Sequence, residues 1–253
     1  MGDCRVIAHT LARWRKYEEA LGWVERGLAA EERGTSGYGL SDLKRELLRK
    51  LGRDEEALES AWSEFLSVPC VLTLEELERY LPASDKSRWR SRVVEAVGEG
   101  RLDSAIELYL HLDEIGRLVE RLRTSSSSQL EALSHYVTEP AADRLVDSHP
   151  DMAAKVHRAL GLRVLTAKKS KYYDAALRHF ETAKQCYTQA GLAADWTRLV
   201  AKVRKDHSRK HGFMPGFERL VEGLPPSREA AFLDRARQRW QGRGHRHDDS
   251  GMR

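Results

Sequence analysis

The chain has 253 residues, is 41% hydrophobic and 32% charged, and holds only seven prolines. That length buries one long core or two modest ones, and the composition suits exposed helices rather than a sheet protein. A formal charge of +4 is too small for a dedicated nucleic-acid binder. In chain order, Val6, Ile7, Leu11 and Trp14 have helical spacing, and Tyr17, Ala20, Leu21, Val24 and Leu28 repeat it. Gly34 to Gly39 is a turn-rich break, after which Ser41 reads as the cap of a helix through Leu43, Leu47, Leu48 and Leu51. Beyond Gly52 a helix carries Ala57, Leu58, Ala61, Trp62 and Phe65, and Pro69 ends it. Thr73-Leu74-Glu75-Glu76 reads as a capping box. Pro82 and Ser84 introduce Trp89, Val93, Val94 and Val97, and Gly100 turns the chain into Ala105, Ile106, Tyr109 and Leu112. Ile115, Leu118, Val119 and Leu122 follow.

Four consecutive serines within Thr124 to Ser128 neither pack nor extend a helix readily, which predicts a soft joint over residues 124–130. Beyond it Leu130, Leu133, Tyr136 and Val137 predict one short helix, and Ala141, Leu145 and Val146 another. Pro150 precedes a helix through Met152, Val156, Leu160 and Val164. Tyr173, Ala176, Leu177, Phe180, Ala183 and Tyr187 share one face of a long amphipathic segment that Gly191 stops. Trp196, Leu199, Val200 and Val203 line the next helix; Phe213, Phe217 and Leu220 another; Ala231, Phe232 and Leu233 a last. The chain thus divides into N-terminal hairpins (1–123), the joint, C-terminal repeats (131–241) and a disordered His-, Arg- and Gly-rich tail (242–253). No alternating apolar run is long enough for a strand.

One element recurs. Gly52-Arg53-Asp54-Glu55-Glu56-Ala57 and Gly100-Arg101-Leu102-Asp103-Ser104-Ala105 join a helix-ending glycine to acidic residues and a small residue. Looser copies end in Ala20 and Ala176. The glycine ends one helix left-handed, the acids complement the next macrodipole, and the alanine lets two helices approach. Repeated hairpins of this kind predict an all-α, TPR-like α-solenoid of about a dozen helices.

Cys4, Cys70 and Cys186 are odd in number and far apart, which argues against a disulfide framework and for a reducing, cytoplasmic setting. No apolar run reaches the length of a membrane span, so no membrane partner is expected. The N-terminus lacks a signal-peptide core and reads as helix by Arg13. The chain is therefore expected to be the last part of a longer protein, or of a shortened reading frame.

The runs YEEALGWVERGL and LKRELLRKLGRDEEALESAWSEFLSVPCVLTLEELERY, with YYDAALRHFETAKQCYTQAGLAADWTRLVAKVRKDHSRKHGFMPGFERL, carry a family likeness. Over residues 10–222 the chain resembles the helical region of bacterial SWIM zinc-finger proteins and related domains of unknown function. The zinc-finger signature, Cys-x-Cys followed by Cys-x-His, is absent. What the resemblance implies is a helical scaffold without the part of that family that has a defined chemistry.

Arg198, Lys202, Arg204, Lys205, Arg209 and Lys210, with His207 and His211, crowd one short stretch. Several cations on one helix end release counterions from a polyanion; a solvated helix face near a C-terminus has the same composition. Arg204 and His211 also have an Arg-x6-His spacing of the ribonuclease type seen in HEPN proteins. Helical spacing turns Arg198, Lys202, Lys205 and Arg209 to a largely shared outer face. Trp14, Trp23, Trp62, Trp89 and Trp196 are expected to fill gaps between repeats, whereas Trp240, among arginines, is a candidate partner anchor. His245 and His247 in the tail could hold a metal loosely, but a solubilising end is the simpler reading. The remaining histidines, His157 and His179 among them, show no ligand spacing. No phosphate loop, nucleophile elbow, zinc-protease motif or cofactor motif occurs. The expected function is a non-catalytic scaffold that binds another protein, with nucleic-acid association through 198–211, and RNA cleavage by Arg204 and His211, as alternatives.

Overall fold

Residues 2–31, 39–167 and 169–225 are described by a computed structural model, and among them all regular structure is helical. The chain forms two compact units, Met1–Leu145 and a second beginning at Val146. The first holds α1 (Gly2–Arg13), α2 (Tyr17–Glu31), α3 (Leu40–Lys50), α4 (Asp54–Ser67), α5 (Val71–Glu78), α6 (Lys86–Glu99), α7 (Leu102–His111), α8 (Ile115–Thr124), α9 (Ser127–Ala132) and α10 (His135–Leu145). The second holds α11 (Pro150–Thr166), α12 (Tyr173–Gln189), α13 (Ala193–His207) and α14 (Met214–Glu222).

One turn closes five of these helices. A residue just past the last turn takes a left-handed conformation at Arg15, Gly52, Asp113, Gly191 and Gly223, the last being itself the C-cap. In each, its N–H and the next one reach back to the last turn, as where Gly52 donates to the Arg49 carbonyl (3.1 Å) and Arg53 to the Leu48 carbonyl (2.9 Å). These bonds satisfy carbonyls that a helix end leaves orphaned. Gly52 and Gly191 behave as their sequence context predicts. Gly100 does not: its φ is −83° and its ψ −168°, an extended residue rather than a left-handed one. The small residue of the repeated motif is fully buried in all four copies, at Ala20, Ala57, Ala105 and Ala176.

In the first unit each of α1 to α4 packs on the next, while α7 gathers α5, α6, α8 and α10 around it. A buried cation sits in this unit. Arg45 on α3 has no exposed surface, and its guanidinium bonds Asp42 and Glu64, lies 3.6 Å from Glu76, and faces the Tyr80 ring. Several local expectations shift here. Gly39, not Ser41, stands at the N-cap of α3. Cys70 caps α5, and Thr73 is its third residue: the Cys70 N–H donates to Thr73 Oγ1 (3.2 Å), and that hydroxyl donates to the Val68 carbonyl (2.7 Å). Glu76 is thereby released to pair with Arg79 and Arg45. Trp14 and Val6, expected in the core, are 67% and 64% exposed; Trp14 falls just beyond the last turn of α1.

The serine run is helical in part. Ser126 caps α9 through the Gln129 N–H (3.2 Å), and Gln129 accepts from the Ser126 N–H (2.8 Å) in return. The break in this region comes at Leu133, and His135 to Leu145 form one helix with Pro140 inside it. Since α10 packs on α7, the first unit runs past the serines to Leu145.

In the second unit α11 and α12 form the most extensive helix pair. Gly161 makes the approach close: a Cβ there would lie 2.7 Å from Cζ of Phe180. Phe180, Phe213 and Phe217 stack into the core with Tyr173 against Phe213. Here too His157 on α11 is buried, its Nδ1 3.4 Å from His179 Nδ1 on α12.

Candidate functional site

The six candidate cations separate into two groups. Arg198 bonds Asp195 (2.5 Å) and Lys202 bonds Asp206 (2.7 Å), each one helical turn away on α13. Arg204 reaches across to α14, where both edges of its guanidinium engage Glu218: Nε donates at 3.0 Å and Nη2 at 2.5 Å. The hydrogen bond from Arg204 holds the Glu218 carboxyl below its usual range, and Lys202 does the same for Asp206. Half of the basic segment is thus neutralised within the protein and has little charge left for a polyanion.

Lys205, Arg209 and Lys210 form the other group. They make no salt bridge among the described residues. α13 ends at His207, so Arg209 lies in the following turn and not on the outer face that helical spacing had assigned it. Lys210 points back over the Tyr173 ring, its Nζ 5.7 Å from the centroid. His207 is half-buried, and burial, then Lys210, lowers its pKa.

Arg204 and His211 lie on the same surface depression. It is shallow and open, lies between the end of α13 and the start of α14, and is lined also by Ser208, Met214, Pro215 and Glu218. The Arg204 guanidinium in it already faces a carboxylate. Among the described residues no three His, Cys, Asp or Glu side chains converge on a point that could hold a metal ion. The His157–His179 contact was invisible in sequence, because 22 positions separate the two and only the α11–α12 pairing joins them.

The first unit presents a different surface. Leu66, Val68 and Leu72 are 51%, 57% and 75% exposed within seven residues of chain, where α4 ends and α5 begins. Pro69, Cys70 and Val71 between them are half-buried. The corner forms because Val68 leaves the helical region, Cys70 is extended and Thr73 ties the turn. Scattered apolar side chains are ordinary on a surface; here three stand exposed within one short corner of the chain. Periodicity could not reveal it, since Leu66 and Leu72 look like any other helical leucine.

Trp240, the expected helix at Ala231–Leu233, His245, His247 and the 242–253 tail lie outside the described residues. No helix among the described residues is long and apolar enough to cross a membrane. Residues 4–215 match the model of a family of unknown function, DUF6880. No curated protein and no solved structure matches the chain.

Proposed function

We propose, from the premise that the chain belongs to the DUF6880 family, that it is a TPR-like helical-repeat scaffold that holds another protein. From α1 to α5 and from α11 to α14 successive helices pack on their neighbours, and the alanine of each of the four motif copies is fully buried. Both features support a tandem-hairpin reading. The observation that carries the function is the apolar corner at Leu66, Val68 and Leu72. Covering three half-exposed aliphatic side chains contributes about 3 kcal/mol to association, roughly a hundredfold in affinity. That magnitude fits a reversible contact that other surfaces reinforce. The resemblance read from the sequence suggests a narrower version, in which this region corresponds to the helical arm of a SWIM-type protein.

A photo-crosslinking residue placed at position 72 tests this reading in cells. One discrete adduct is expected, lost when Leu66 and Val68 are both changed to Asp and absent when the crosslinker sits at Glu95, an exposed position of α6. A smear of adducts unaffected by the two aspartates would remove the corner as a binding surface.

A further inference from the structure

We propose that the end of the second unit where α12 begins and α13 ends is a docking site for single-stranded nucleic acid. The inference is independent of the apolar corner, which belongs to the other unit. A short turn, Ala190 to Leu192, reverses the chain between α12 and α13. The segment that leads into α12 is therefore carried to the same end as the segment that leaves α13. Three contacts show the meeting. Lys210 Nζ lies 5.7 Å over the Tyr173 ring, a Cβ on Gly212 would lie 3.7 Å from that ring, and Phe213 meets it edge-on at 5.6 Å.

The meeting concentrates charge that the sequence keeps apart. Lys169 and Lys171 come from one segment; Lys205, Arg209 and Lys210 from the other. All but Lys210 are exposed, and none makes a salt bridge among the described residues. Residues 169–174 and 205–212 contain two acids, Asp174 and Asp206, and Asp206 is already paired with Lys202. Along α13 Arg198, Lys202 and Arg204 are each paired and Lys205 shares the field of Asp206, whereas Arg209 and Lys210, beyond its end, make no salt bridge among the described residues. An uncompensated cluster of this size attracts a phosphate backbone and releases its counterions.

An exposed aromatic ring belongs to the first of these segments. Tyr172 is 46% exposed, with Lys171 Nζ 4.8 Å over its ring. Cations beside an accessible ring are how proteins hold single strands: the charges follow the backbone and a base stacks on the ring, whatever its identity. Duplex offers no free base face to such a ring. The ring favours a single strand over an acidic polypeptide, which has nothing of that kind to stack. A membrane would be expected to meet exposed aliphatic side chains beside the cations. Among the described residues of this unit the exposed large aliphatic side chain, Leu224, follows the opposite end of α14 from Met214.

The test is anisotropy of a fluorescent mixed-sequence single-stranded RNA 20-mer titrated with the intact protein at 50 and 200 mM salt. Five cations on a single strand give a log–log salt slope of about 3.5, so affinity should fall roughly a hundredfold between the two conditions. Lys171→Gln with Arg209→Gln should lower the slope by about 1.4. Lys50→Gln with Arg88→Gln, the same change in net charge on exposed residues of the other unit, should leave it unaltered. Tyr172→Ala should weaken binding about tenfold at both salt concentrations, and Tyr172→Phe should not. Circular dichroism of each variant confirms the helical fold. Absence of binding at about 100 μM protein in 50 mM salt overturns the proposal, as does an equal effect of the two double variants. So does equal or tighter binding to polyglutamate, or to vesicles containing phosphatidylserine, since either assigns the cluster to another class of partner.

Discussion

Acid should loosen the second unit through His157. The imidazole is 2% exposed, and burial, with the charge of His179 second, pulls its pKa from 6.5 to about 4. Its folded form resists protonation, while the unfolded chain accepts a proton at the ordinary value. The stability it contributes is therefore complete above pH 6.5 and is lost as the pH falls toward 4. By pH 4.5 about two pH units of that window have been crossed, and at about 1.36 kcal/mol per unit the loss is about 2–3 kcal/mol. The geometry agrees with the sign. With Nδ1 atoms 3.4 Å apart, one imidazole must present a bare nitrogen to the other, so a doubly charged pair would set two N–H groups against each other. Carboxylates elsewhere titrate in the same range, so the effect is read by difference. Urea-dependent hydrogen exchange of peptides from α11 and α12 is measured at pH 7.5 and 4.5 for the wild type and for His157→Leu. The wild type should lose about 2–3 kcal/mol more than the variant between the two conditions, whatever the variant costs at pH 7.5. Equal losses would refute the assignment.

Arg45→Ala should destabilise the first unit by about 2–3 kcal/mol, because it empties a fully buried site and leaves Glu64 without its cation and Glu76 with Arg79 alone; a thermal melt within error of wild type would show that water compensates them. Arg15→Gly should stabilise by about 1 kcal/mol, since a side chain in the left-handed region costs about that much and glycine carries no such cost. Asp113→Gly should gain less, because the Asp113 carboxylate accepts a hydrogen bond from Arg144 (3.1 Å) that glycine cannot replace. Urea midpoints order the two, and a larger gain at Asp113 would contradict this account.

Class and coarse layout were legible because helix formation is written at short range. The stripe Ala176, Phe180, Ala183, Tyr187 lies on one face at helical spacing, and all four residues are buried. Gly52 and Gly191 end helices as their neighbours imply, and Ala57 and Ala105 are buried as a small residue at a crossing must be. The left-handed turns at Arg15 and Asp113 escaped notice, because a residue without glycine's freedom is held there only by the hydrogen bonds of the finished turn. Gly100 misled for the converse reason: glycine permits the left-handed state without requiring it.

The surfaces proposed for function depend on long-range pairing. The basic stretch 198–211 reads as one cluster, but the Arg204–Glu218 pair exists only once α14 folds against α13. That pairing leaves the unneutralised charge at the helix end, where Lys169 and Lys171 arrive from more than thirty positions away in sequence. His157 and His179 meet for the same reason, as do Arg45 and Glu64. Helical periodicity determines which side of a helix turns inward, from residues three and four apart. Which charge meets which, and whether it is neutralised on arrival, is set by helices packing across distances that no local spacing encodes.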